Sequence, residues 1–189
     1  MTLNFTQRLL AAALLVSASI AAQAQSPSYS YIEGGFSLIN VDAAGSSTDT
    51  GYFAGLSTAM GDAFYLTASY EEYDVERGDL NLFKAGLGFR TEVNSQTDLN
   101  FELGYDRLET GFDDFDGFRG TVGLRSAMSK RFQSRVYAGY STDDDLGDGD
   151  FLLGLEGNLL FNDRVAMTFQ AESFEFDVNF YRIGFRFMY

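Results

Sequence analysis

Residues 181–189 read Tyr181-Arg182-Ile183-Gly184-Phe185-Arg186-Phe187-Met188-Tyr189. Apolar side chains fill every second place, at Tyr181, Ile183, Phe185, Phe187 and Tyr189, and two arginines stand between them. A period of two marks a β-strand with unlike faces. In a soluble protein the apolar face would look into a core. In a membrane barrel it looks at lipid, and the polar face looks into the lumen. These nine residues admit both readings, and the rest of the chain separates them.

Ten segments with the same period precede or include this one: Tyr29–Ile39, Gly51–Thr58, Ala63–Tyr70, Leu80–Arg90, Asp98–Asp106, Gly117–Ser126, Phe132–Ser141, Phe151–Leu160, Val165–Ala171 and Asn179–Tyr189. Each is near the ~9–11 residues that a tilted membrane strand needs. One face of each is apolar, as with Phe83, Ala85, Leu87 and Phe89. The other faces carry Glu33, Lys84, Arg90, Glu102, Arg119, Arg125, Arg135, Glu156, Gln170, Arg182 and Arg186 among small polar residues. Both signs of charge are represented, so inside a narrow lumen these groups would pair, as buried charges must.

The connections decide between the readings. Taken in order, the odd ones fall near residues 41–49, 71–79, 106–116, 143–150 and 172–177, and they hold 20 of the 27 acids. Arg77 and Arg107 are the bases among them. The even connections, near Ala59-Met60-Gly61-Asp62, 91–97, 127–131 and 161–164, are short and nearly neutral. In an up-and-down meander alternate connections lie at alternate ends, so the acids gather at one rim. Short turns at one end and polar loops at the other describe a bacterial outer-membrane barrel. A soluble sheet has no reason to sort acids by parity. The expected fold is an all-β, antiparallel up-and-down transmembrane barrel of ten strands, with eight as the alternative if the hairpin over Gly51–Tyr70 is absent.

Composition agrees. Glycine and aromatics are abundant, with 20 Gly, 19 Phe and 11 Tyr against one proline, which suits strands and tight turns. An excess of 27 acids over 13 bases excludes nucleic acid as a partner, because phosphate would be repelled. Residues 1–24 read as a secretory signal peptide. Arg8 is the one charge before Glu33, Leu9–Ile20 is apolar, and Ala22-Gln23-Ala24 fits a small-x-small cleavage site. The barrel domain is then residues 25–189. With no cysteine there is neither a lipid-anchor site nor a disulfide.

The C-terminal strand also has the form of a signal for barrel assembly. Arg182 is a polar residue, Gly184 follows two places on, and the apolar Phe187 and Tyr189 follow five and seven places on. A β-edge ending in aromatics suits pairing with a strand of an assembly factor. Ser28-Tyr29-Ser30-Tyr31-Ile32-Glu33-Gly34-Gly35-Phe36, Phe115-Asp116-Gly117-Phe118 and Ala138-Gly139-Tyr140 carry a further likeness. On these motifs the chain resembles the small outer-membrane β-barrels of the OmpA/OmpX type. It is still more similar to the xanthomonad-type barrel proteins once described as secreted immune activators and quorum factors. The resemblance implies the barrel fold and transfers no site.

Enzymatic barrels resemble one another in using histidine as a base, and this chain has none. Ser57, Ser69 and Ser141 would be weak nucleophiles without one. No enzymatic role and no cofactor are expected. The run Asp143, Asp144, Asp145, Asp148, Asp150 lacks EF-hand spacing but offers carboxylates for loose divalent-cation binding. The expected role is structural and surface-interacting, through acidic external loops, in the bacterial outer membrane. Its partners would be membrane lipid, lipopolysaccharide, periplasmic chaperones and the assembly machinery, with the barrel itself a monomer. The alternative is a narrow channel for small solutes or cations, in which the lumen charges Glu33, Lys84, Arg90, Glu102, Arg119, Arg125, Arg135, Glu156, Arg182 and Arg186 would line the path.

Overall fold

A computed structural model describes residues 27–41, 47–75, 78–111, 114–142 and 150–189. The expected signal peptide lies outside the described residues. Ten strands follow in order: β1 Tyr31–Val41, β2 Ser47–Met60, β3 Phe64–Val75, β4 Gly78–Asn94, β5 Thr97–Glu109, β6 Asp114–Ser129, β7 Phe132–Ser141, β8 Asp150–Leu160, β9 Val165–Phe174 and β10 Val178–Met188. Each pairs antiparallel with its neighbours in sequence, and β1 pairs with β10 from Tyr31↔Met188 to Val41↔Val178, closing the barrel. Closure leaves no unpaired edge. The hairpin over Gly51–Tyr70 is present as β2 and β3, so the count is ten and not eight.

The exterior is apolar. On β10, Tyr181, Ile183, Phe185 and Phe187 are 46–52% exposed to the surroundings while Arg186 is 3% exposed. Leu103, Phe118, Phe36 and Val122 continue the apolar surface around other strands. This inverts the distribution of a soluble barrel and is that of a membrane-spanning one. Aromatic rings band the surface. Tyr52, Tyr70, Tyr105, Tyr140 and Tyr181 lie toward one end, where the acids also gather. Phe64, Phe89, Phe132 and Phe187 lie toward the other, with Tyr189 just beyond. Aromatic girdles at both margins are usual for such barrels, and the tyrosines suit the membrane–water interface by their amphipathic rings. Both described termini sit at the phenylalanine end, where the Tyr189 amide donates to the Ser30 carbonyl. That end is called the terminal end below, and the opposite one the acidic end.

The strands run further toward the acidic end than the alternation implies. β3 continues five residues past Tyr70, and β5 and β9 extend past Asp106 and Ala171. Acids expected in loops therefore stand within strands: Glu71, Glu72 and Asp74 in β3, Asp106 and Glu109 in β5, Asp114 and Asp116 in β6, Asp150 in β8 and Glu172 in β9. The connection expected over 172–177 is a tight turn. Glu175 and Phe176 both take positive φ, and the Asp177 amide donates to the Phe174 carbonyl at 3.0 Å. Two positive φ values make a type I′ hairpin turn, which matches strand twist but is strained for non-glycine residues. At the start of the chain, Tyr29 and Ser30 precede β1 rather than belonging to it.

Candidate functional site

The lumen collects the chemistry. Inward positions alternate along every strand, and all ten charged residues expected inside are there. They are joined by Glu71, Asp98, Asp106 and Glu172, whose carboxylates are buried. Among the described residues, seven cations (Lys84, Arg90, Arg119, Arg125, Arg135, Arg182, Arg186) thus meet seven anions (Glu33, Glu71, Asp98, Glu102, Asp106, Glu156, Glu172) in ion pairs, with Asp150 a further buried acid at the start of β8. Mutual neutralisation is what permits so many charges in so narrow a space.

The central layer closes the barrel. Lys84 on β4 and Glu172 on β9 stand five strands apart in either direction, and their side chains meet at 2.8 Å. Glu172 also accepts the Tyr137 hydroxyl at 2.6 Å and lies 3.5 Å from Arg119. Tyr137 in turn accepts a hydrogen bond from the Gln170 amide at 2.7 Å. Its ring lies flat against the wall at Gly154, where any Cβ would fall inside the ring, so only glycine leaves the room. Arg182 makes a forked pair with both oxygens of Glu71 and donates to Gln170 at 3.0 Å. Glu71 is held from behind by the Tyr73 hydroxyl at 2.6 Å. Planar, bidentate pairing of this kind is what guanidinium offers over ammonium.

A second layer lies toward the terminal end. Arg186 reaches Glu33 and Glu156, each at 2.6 Å, and Asn158 donates to Glu156 at 2.9 Å. Arg125 stands 3.4 Å from Glu156 and donates to the Ser28 carbonyl at 3.2 Å. Arg135 lies 3.6 Å from Glu102 and donates to Asn100 at 3.2 Å. Arg90 pairs with Asp98 at 3.3 Å. The mouth beyond is stoppered by Tyr29, 3% exposed, whose ring sits 4.5 Å from the Arg90 guanidinium and 4.6 Å from that of Arg125. Tyr65 packs against it with ring centres 4.7 Å apart. Stacking of guanidinium on an aromatic face is favourable when both are desolvated. Burial pushes the Tyr29 phenol up to about 12, against the opposing pull of the Arg125 charge.

Above the central layer, toward the acidic end, the lumen changes character. Ile39, Tyr73, Leu82, Leu152, Phe174 and Phe180 form an apolar cluster, with Val41, Leu80, Leu108 and Val178 packed against it. These inward-facing apolar residues were not foreseen as part of the lumen. They lie on the parity of the charged faces: Leu80 and Leu82 precede Lys84, Phe180 precedes Arg182, and Phe174 follows Glu172. Carrying that parity outward along each strand would have found them.

Of the weak cation candidates, Asp143, Asp144, Asp145 and Asp148 lie outside the described residues, and Asp150 is buried at the start of β8. Among the described residues no group of three or more acids is arranged to hold a metal. Of the assembly-signal residues, Arg182 faces the lumen, while Phe187 and Tyr189 face outward. Gly184 lies against the β1 backbone, where a Cβ would meet the Gly34 carbonyl.

No protein-family model matches the chain, and no curated protein matches it. Several solved barrels align with it. A KdgM porin in complex with disordered oligogalacturonate is 11% identical, covering 84% of this chain and 99% of that one at a TM-score of 0.49. The translocator domain of the autotransporter NalP from Neisseria meningitidis is 11% identical, covering 97% of this chain and 94% of that one at 0.49. Ail, the attachment invasion locus protein of Yersinia pestis, is 13% identical, covering 85% of this chain and 97% of that one at 0.42. At such identities and TM-scores these likenesses transfer no role, residue or ligand.

Proposed function

We propose that this chain is an outer-membrane β-barrel of a Gram-negative bacterium whose lumen is shut and whose working surface is its acidic end. The observation that carries the reading is the Lys84–Glu172 pair across the full diameter, buried on both sides. A barrel crossed by paired charges offers solutes no path, which leaves the outer end as the place of contact. There Glu72, Asp74, Asp114, Asp116, Glu175 and Asp177 are exposed. In this reading the terminal end is periplasmic, residues 1–24 direct export, and residues 25–189 form the barrel.

The acidic end would meet lipopolysaccharide by sharing divalent cations with its phosphates, since such cations take carboxylate and phosphate oxygens together. Arg182, Gly184, Phe187 and Tyr189 would present the strand to the assembly machinery after periplasmic chaperones release it. The barrel acts as a monomer, without catalysis, and we place it with the OmpA/OmpX-type barrels, nearest the xanthomonad-type proteins. The narrow-channel reading draws on one feature, a cavity of about 70 Å³ between Lys84, Arg119, Arg135 and Glu172. That is room for a few waters rather than for a solute.

Replacing residues 143–149 with a neutral Gly/Ser segment tests the surface role. Folded protein in vesicles should lose calcium-dependent adsorption to lipopolysaccharide while its heat-shifted electrophoretic mobility, the sign of an intact barrel, stays unchanged. Adsorption equal to that of the parent protein contradicts the reading.

A further inference from the structure

The apolar outer half of the lumen is only partly filled. A cavity of about 360 Å³ lies between β1, β4, β5, β9 and β10, walled by Ile39, Leu82, Leu108, Phe174, Val178 and Phe180. That volume falls in the range of small-molecule sites, about 300–1,000 Å³, and so does its make-up of apolar walls with few polar groups. The polar groups are Lys84, Asp106 and Ser141. Lys84 is already paired with Glu172 and stands 5.4 Å from the centre of the Phe180 ring. Asp106 differs. It is 4% exposed, its Oδ2 lies 3.5 Å from Arg119, and its Oδ1 has no hydrogen-bond partner among the described residues. A buried acceptor left unmatched beside an apolar cavity is a costly feature unless something supplies the donor.

We infer that this chamber binds a small amphiphile with an apolar body and a cationic amine, the amine set against the Asp106 side of the wall. Two observations choose the amine over a carboxylate. Asp106 is a carboxylate in the chamber wall, which attracts an ammonium group and repels a second carboxylate. The exposed groups around the same end, Glu72, Asp74, Asp114, Asp116, Glu175 and Asp177, are acids, which concentrate cations and repel anions. The apolar walls then take a body of one aromatic ring or a short alkyl chain, with the Lys84–Glu172 layer as the floor that stops deeper passage.

The test uses the full mature chain folded in lipid nanodiscs. Its probes are 2-phenylethylamine and 3-phenylpropionate, which share an aromatic body and differ in the sign of the head group. Calorimetric titration should show saturable amine binding and at least about tenfold weaker carboxylate binding, about 1.4 kcal/mol or more. Asp106→Asn should weaken the amine about tenfold, and Val178→Trp, which fills the chamber from a different strand, should abolish binding. Heat-shifted mobility checks that each variant is folded. Carboxylate binding as tight as amine binding, or undiminished amine binding in folded Val178→Trp, or no saturable binding of the amine, would overturn the assignment. The comparison of the two probes on the parent protein stands even if a variant fails to fold.

Discussion

The two halves of one lumen obey different physics. Toward the terminal end the strands project Arg125, Arg135, Arg186, Glu33, Glu102 and Glu156, and the space is filled by paired charge. Toward the acidic end the same inward parity projects Ile39, Leu82, Leu152, Phe174 and Phe180, and the space is apolar and partly empty. Between them lies the Lys84–Glu172–Tyr137 layer. The contrast teaches that a barrel need not be polar inside to face lipid outside. What the membrane dictates is the exterior. The interior is set by what the chain must close and what it must leave open.

The largest effect should come from breaking the layer that separates the halves. Glu172→Ala strands Lys84 in a buried space and takes one partner each from Arg119, which keeps Asp106, and from the Tyr137 hydroxyl, which keeps Gln170; it should cost about 3–5 kcal/mol. The chain has no tryptophan, so the urea midpoint of the folded barrel is best read by tyrosine fluorescence or mobility. Leu152→Ala in the apolar half should cost about 2–4 kcal/mol by the same assay, as a fully buried side chain is lost. A loss below about 1 kcal/mol would mean that the apolar half collapses freely and is not a packed region.

Tyr29→Ala, which withdraws the stopper from the charged half, should cost about 1–2 kcal/mol through lost ring and guanidinium contacts. The stopper also has a pH signature. Because the phenol is raised in the folded state, its stabilisation is complete below its ordinary value of 10.0 and fades as pH climbs through about 12. Between about pH 9 and about pH 11.5 the parent should therefore lose more stability than Tyr29→Phe. The smallest effect is expected when charge is exchanged for fit. Lys84→Met combined with Glu172→Leu should stay within about 1 kcal/mol of Glu172→Ala's parent protein, because a buried ion pair and an apolar pair of similar volume are close in energy. A double variant as damaged as Glu172→Ala would show that Arg119 and Tyr137, not Lys84, are the groups that need the carboxylate.

Much of this architecture is legible in the sequence. Alternation at Tyr181–Tyr189 and in nine further segments gave the strands, and the parity of the acids gave the meander and its two unlike ends. The ten lumen charges were legible because a charge on one face of an apolar-faced strand has few other places to go. Glu71, Asp106 and Glu172 were not. They sit where the acids of the true rim also begin, and nothing local separates a carboxylate on the last inward position of a strand from one on the loop after it. What separates them is the partner across the barrel: Arg182 for Glu71, Arg119 for Asp106 and Lys84 for Glu172. Those contacts join residues far apart in sequence. The apolar chamber was hidden for the opposite reason. At Val178-Asn179-Phe180 and Leu80-Asn81-Leu82 the apolar residues take the inward parity and asparagine the outward one, so the alternation reverses sense where the chamber begins.

The central claim is that the charged layer shuts the barrel, and single-channel recording in a planar bilayer tests it most directly. Folded mature protein with intact heat-shifted mobility should give no discrete conductance steps. Reproducible steps from the parent protein would contradict the account, and would make the arginines of the lumen the lining of a pore.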